Sequence, residues 1–110
     1  MDLTATDSDV PRLSVVVPAH NEEHHLPRGL DAIEVAARAL GARVEVVVVA
    51  NRCTDATAAL AAARGALVVE DDARNIGAVR NAGVAASSGE LVVTVDADCR
   101  VWPPASMLPL

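Results

Sequence analysis

The run Val44-Glu45-Val46-Val47-Val48-Val49-Ala50-Asn51 decides the fold. It is β-branched and apolar almost without a break, and a strand lacking polar alternation is one covered on both faces. This strand is therefore expected to be central in a parallel sheet. On its N-terminal side Leu13-Ser14-Val15-Val16-Val17 makes a second buried strand, expected to end at Pro18. Between the two, Leu26, Leu30, Ile33, Ala37 and Leu40 recur at helical spacing and Gly41 follows as a stop. That is an amphipathic helix, with Pro27 tolerated in its first turn.

Downstream, Thr54-Asp55 offers an N-cap to the Ala-rich helix Ala56 to Arg64, which Gly65 ends. Leu67-Val68-Val69 reads as a short strand and Glu70 to Arg74 as a polar loop. Asn75 to Ser87 reads as a helix and Leu91 to Val95 as the last strand. Strands alternating with helices pair in parallel through right-handed crossovers. The fold class is therefore α/β, a three-layer open parallel sheet of Rossmann-like type, with expected strand order 3-2-1-4. One domain is expected over residues 12–100. Residues 1–11, acidic and polar, are expected to form a disordered tail, and 101–110, with Pro103, Pro104 and Pro109, an irregular end.

Composition narrows the function. The 110 residues are 52% apolar but 1% aromatic, Trp102 alone, so the core must be built from Val, Leu, Ile and Ala. A net charge of -6 disfavours nucleic acid, whose binding draws on clustered cations and stacking aromatics. No apolar run approaches the ~20 residues that span a bilayer, and the start lacks the pattern of a secretory signal. Cys53 and Cys99 lie in separate segments and form no metal or disulfide framework, which suits reduced thiols and a cytoplasmic location.

In sheets of this kind ligands sit beyond the carboxyl ends of the strands, in the crevice where the strand order reverses. Here that crevice lies between Pro18-Ala19-His20-Asn21-Glu22 and Asp96-Ala97-Asp98. Asp96 and Asp98, two apart, turn to one side of the chain and can share one target. A hard divalent cation, Mg²⁺ or Mn²⁺, needs only one or two protein carboxylates and completes its shell with phosphate oxygens and water. Such a pair also arises by chance at a strand end. In Asn75 to Gly83, two glycines interrupt a helical pattern at a cost of ~1 kcal/mol each relative to Ala. Either the backbone approaches a ligand with Arg80 facing a phosphate, or Gly77 opens the helix, Gly83 permits close packing and Arg80 is solvated.

Four phrases, Val15 to Glu23, Val47 to Thr57, Asn75 to Gly83 and Gly89 to Asp98, resemble in order and spacing the hallmarks of glycosyltransferase family 2, a GT-A fold. The resemblance implies an inverting, hexosyltransferase-type enzyme using a nucleotide-diphosphate sugar, of which this chain is the N-terminal, nucleotide-binding half. It implies that Pro18, Ala19, His20, Asn21 and Glu22 line the nucleoside pocket and that Arg80 approaches the base or diphosphate. Asp96 would meet the ribose or a metal-bound water, and Asp98 the metal. Where the family usually has Asp after the second strand, this chain has Ala50 and then Asn51. Asn51, both donor and acceptor, is the candidate replacement, and a uridine preference does not follow. The general base is expected beyond residue 110, so the chain is expected to bind donor without turning it over. The fourth strand, left as an edge, invites self-association. The alternative is a non-catalytic nucleotide-binding remnant of the same fold.

Other readings fit less well. His20-Asn21-Glu22-Glu23-His24 is not HExxH, and no GxGxxG follows the first strand. An aspartyl phosphatase would want a lysine, and the chain has none. The Gly-rich opening loop of nucleotidyltransferases is absent.

Overall fold

The computed structural model describes residues 12–41 and 43–97. The 1–11 tail, Asp98, Cys99 and the 101–110 end lie outside the described residues. Seven elements alternate: β1 (Arg12–Ala19), α1 (Leu26–Leu40), β2 (Arg43–Asn51), α2 (Thr57–Ala63), β3 (Leu67–Asp71), α3 (Ile76–Ala86) and β4 (Leu91–Thr94). The four strands form one parallel sheet in the order β3-β2-β1-β4. The sequence-based order is the observed one.

Handedness explains the layering. The β1–α1–β2 and β2–α2–β3 crossovers step in one direction, so α1 and α2 share a face, whereas β3–α3–β4 steps back past β1 and places α3 on the other. The core divides accordingly. Val15, Val17, Ala19 and Val48 pack with Leu26, Leu30, Ile33 and Ala61 on the α1/α2 side. Val16, Val47 and Val49 pack with Val79 on the α3 side. β2 is central, as its unbroken apolar run requires.

Two differences from the sequence reading have physical causes. Pro18 does not end β1, which runs on to Ala19. The carbonyl of Val16 accepts from Val95 N–H at 3.0 Å, so Pro18, two residues on, turns its missing N–H to the same side. β4 has already ended at Thr94, so no ladder bond is lost there. The second difference is the start of α2. The residue at its N-cap is Ala56, without a side-chain cap, while Asp55 accepts from Thr57 N–H at 3.0 Å and from the Thr57 hydroxyl. Elsewhere the stop signals act as read. Gly41 (φ 65°) closes α1 through bonds to the Ala37 and Arg38 carbonyls, and Gly65 (φ 85°) follows α2.

Gly83 settles one open alternative. A Cβ there would run into the Val16 side chain and lie 2.8 Å from Val49 Cγ2. The glycine lets α3 close onto the sheet. Gly77 belongs to the first turn of α3, where Asn75 Oδ1 caps Ala78 N–H at 3.2 Å.

At the opposite end of the sheet, the Glu45 side chain that interrupts the β2 run has a structural task. Its carboxylate accepts from the buried Ser14 hydroxyl at 2.7 Å, from Ser88 N–H at 2.9 Å and from the Ser88 hydroxyl at 3.2 Å. Gly89 N–H donates to Ser14 Oγ at 2.8 Å, and a Cβ on Gly89 would lie 2.6 Å from Ser14 N and Oγ. The turn that feeds β4 is thereby clamped onto β1 and β2. The hydrogen bond from Ser14, then that from Ser88 N–H, holds the Glu45 carboxyl below its usual range against the opposing effect of desolvation.

Candidate functional site at the switch point

β1 and β4 are neighbours although three elements separate β2 from β4 in the chain, so the order reverses beside β1. A cleft of about 470 Å³ opens there at the carboxyl ends of the strands. Pro18, Ala19, His20 and Glu22 come from the end of β1, Asn51 and Arg52 from β2, and Asp96 and Ala97 from the segment after β4. Ala73 to Ile76 and Val79 come from the entry and first turn of α3. Its volume lies within the range of small-ligand sites. A larger hollow, about 730 Å³, lies at the amino ends of β2 and β3 between α1 and the end of α2, away from the acidic residues after β4. Position at the switch point decides between them.

The loops after β1 and β2 are stapled together. Thr54 N–H donates to Asn21 Oδ1 at 2.7 Å, and Glu22 N–H to Thr57 Oγ1 at 2.9 Å. Glu23 N–H donates to Asp55 Oδ2 at 3.2 Å, while Ala56 N–H returns a bond to Glu23 Oε1 at 2.9 Å. The Cys53 thiol donates to the Ala19 carbonyl at 3.3 Å, and Asn21 N–H lies 3.4 Å from its sulfur. Desolvation works to raise the Asp55 pKa, but the bonds from the Thr57 hydroxyl, Thr57 N–H and Glu23 N–H bring it below the usual value. Asn21 holds a left-handed backbone at φ 50°, a conformation Asn tolerates better than most residues.

Each sequence-nominated residue can now be placed. Pro18, Ala19, His20, Glu22, Asn51 and Asp96 share the cleft. The His20 ring donates from Nδ1 to the Asn51 carbonyl at 2.8 Å, which fixes it across the gap between β1 and β2. Asn51 directs its amide nitrogen to the Asp71 and Ala73 carbonyls at 3.1 and 2.8 Å, tying down the turn that leads to α3. Asn21, among the described residues, serves the loop staple and does not line the cleft. Arg80 is exposed on α3, one residue beyond the lining Val79. Asp98 lies outside the described residues. His25 donates to Glu22 Oε1 at 3.1 Å and His24 lies 3.6 Å from Glu23, so the three histidines turn to different partners.

Arg52 and Arg74 line the cleft without having been singled out in the sequence. The available signal was position: each follows a strand end directly or within three residues. Among the described residues no three His, Cys, Asp or Glu side chains group to hold a metal. The exposed Asp96 carboxylate nevertheless fits a hard cation that takes most of its ligands from phosphate and water.

A doubly wound parallel sheet with a polar crevice at its switch point defines the class, an α/β domain built to hold a ligand across strand ends. Residues 14–108 match the model of Glycosyl transferase family 2, and the chain belongs to that family. An uncharacterized glycosyltransferase of Mycobacterium tuberculosis is 42% identical over 86 residues, covering 78% of this chain and 36% of that protein. The succinoglycan biosynthesis protein ExoO of Rhizobium meliloti is 41% identical over 98 residues, covering 86% of this chain and 27% of its own length. Among solved structures, the Mycobacterium tuberculosis glucosyl-3-phosphoglycerate synthase in complex with Mn²⁺, uridine diphosphate and phosphoglyceric acid superposes with a TM-score of 0.71 at 29% identity. That match covers 93% of this chain and 38% of the synthase. The chain thus spans roughly a third of the length of these relatives, consistent with an N-terminal half. Its open parallel sheet is that of the GT-A synthase. Among the described residues no helix is long and apolar enough to cross a membrane.

Proposed function

We propose that this chain is the donor-binding half of an inverting hexosyltransferase, and that the switch-point cleft takes a nucleotide-diphosphate sugar with Mg²⁺ or Mn²⁺. The observation that carries this reading is the meeting of Asp96 with Pro18, Ala19, His20 and Glu22 in one cleft, although about 75 residues separate them in sequence. Family membership and the Mn²⁺- and UDP-bound synthase of the same fold support it. Asp98 and Asp96 would hold the cation, which when bound offsets the charge that develops on the leaving diphosphate. Pro18 to Glu22 and Asn51 would enclose the nucleoside, with Arg80 reaching the diphosphate as a permanent cation.

The cleft binds the donor, and the base that deprotonates the acceptor hydroxyl is assigned to none of the cleft residues. A reduced Cys53 and a nucleotide-sugar ligand fit a cytoplasmic protein. The open side of β4 favours weak self-association.

Titration calorimetry with UDP, GDP and TDP, with and without Mn²⁺, tests the reading. Metal-dependent heat with at least one nucleotide is expected, and its absence with all three would favour the non-catalytic remnant. Sugar transfer by the 110-residue chain would refute the assignment of the base.

A further inference from the structure

The cleft is polarised. Asp96 stands at the β4 side, whereas Arg52 and Arg74 stand at the ends of β2 and β3, across β1. From β4 to β3 is three strand spacings, roughly 14 Å. A nucleoside diphosphate whose phosphates lie at Asp96 can extend its base along this line, toward the arginines. This step rests on the function proposed above.

Arg52 is costly where it stands. Its φ is 51°, a left-handed conformation that suits glycine and penalises an L side chain. Its backbone N–H donates to the Asp71 carbonyl at 3.0 Å, which pins it in that conformation. Arg52 is exposed and lines the cleft, as it also lines the neighbouring hollow of Ala50, Cys53, Asp55 and Glu70 to Asp72, and among the described residues it makes no ion pair. Strain retained at a binding cleft points from the side chain to a ligand. Asn51 beside it has committed its amide nitrogen to Asp71 and Ala73, which leaves Oδ1 as an acceptor. The base end of the cleft therefore offers a planar fork of donors and one acceptor, with no carboxylate at position 50, where Ala50 is buried.

We propose that Arg52, flanked by Arg74, reads the base of the donor nucleotide and selects guanine. Guanine presents two adjacent acceptors, O6 and N7, which an arginine fork engages in a bidentate manner. Uracil sets an N–H between its two carbonyl oxygens and meets the fork with a donor. The acceptor left on Asn51 suits the ring and amino N–H groups of guanine.

Calorimetry on the full 110-residue chain with GDP and UDP in the presence of Mn²⁺ tests this. GDP should bind about tenfold or more tightly than UDP, a discrimination within reach of one bidentate contact. Arg52→Gly should abolish that preference, weakening GDP more than UDP. Because glycine relieves the positive φ, the same variant should keep or raise the unfolding midpoint, which separates lost recognition from lost fold. Arg52→Lys, which keeps the charge without the fork, should lose the preference as well. UDP binding as tightly as GDP, or an unchanged GDP-to-UDP ratio in Arg52→Gly or Arg52→Lys, would overturn the assignment while leaving the donor site intact. No metal-dependent binding of any nucleotide would overturn the donor site and this inference together.

Discussion

The two walls of the cleft are built differently. On the β1/β2 side, Asn21, Glu22, Glu23, Cys53, Thr54, Asp55, Ala56 and Thr57 interlock through short hydrogen bonds over a fully buried Thr57. On the β4 side, Leu91, Val92, Val93 and Thr94 are all exposed, with Leu91 at 62%. One wall is finished within this chain. The other presents an apolar, β-branched strand of the kind that parallel sheets cover on both faces. A cleft can thus be fixed in shape on its β1/β2 side while its β4 side stays exposed.

The contrast predicts where substitutions hurt. Gly83→Ala strikes behind the firm wall. On an exposed helix the change would stabilise by about 1 kcal/mol, but here the added methyl meets Val16 and Val49, so a loss toward the upper end of roughly 1–3 kcal/mol is expected in urea denaturation. A stabilised variant would show that α3 does not press on β1 and β2. Thr57→Val, nearly isosteric, removes the acceptor for Glu22 N–H and a donor to Asp55, and should cost about 1–2 kcal/mol by the same measurement. It should also loosen the β1/β2 wall of the cleft, visible as faster amide exchange at residues 20–23.

A smaller effect concerns the clamp at the far end of the sheet. The Glu45 pKa is depressed in the fold, so its contribution is complete above the unfolded carboxylate range and fades as pH falls through the lowered folded value. Between about pH 5 and pH 3 the wild-type chain should therefore lose more stability than Glu45→Gln, whose curve is flatter there. Parallel curves would remove Glu45 from the clamp. Smallest in stability terms is Val92→Lys on the exposed strand, expected within about 0.5 kcal/mol of wild type. Its effect should appear in sedimentation, as reduced self-association, and unchanged association would place the contact elsewhere.

The same contrast governs what could be read from sequence. The sheet was legible because β2 carries an unbroken apolar run and because Gly41 and Gly65 stop α1 and α2 where the pattern says they should. The cleft was legible because parallel topology puts the ends of β1 and β4 side by side whatever their side chains. The staple was not, since its partners lie more than thirty residues apart and Thr57 looks like any residue of an early helical turn. Pro18 was misread as a strand end because its tolerance depends on where β4 stops, a fact about the neighbouring strand. Arg52 and Arg74 carry no local signature, since an exposed arginine in a loop is ordinarily solvated. The left-handed backbone of Arg52 is a property of the folded turn alone.

Paramagnetic broadening by Mn²⁺ in the presence of a nucleoside diphosphate tests most directly whether these strand ends form one metal-nucleotide site. In a ¹⁵N-labelled chain, the amides of Ala19, His20, Asp96 and Ala97 should fade first as Mn²⁺ is added, while those of Arg12, Leu13 and Leu67 at the other end of the sheet keep their intensity. Broadening centred on the acidic turn Glu70-Asp71-Asp72, with Ala19 and Asp96 untouched, would contradict the account.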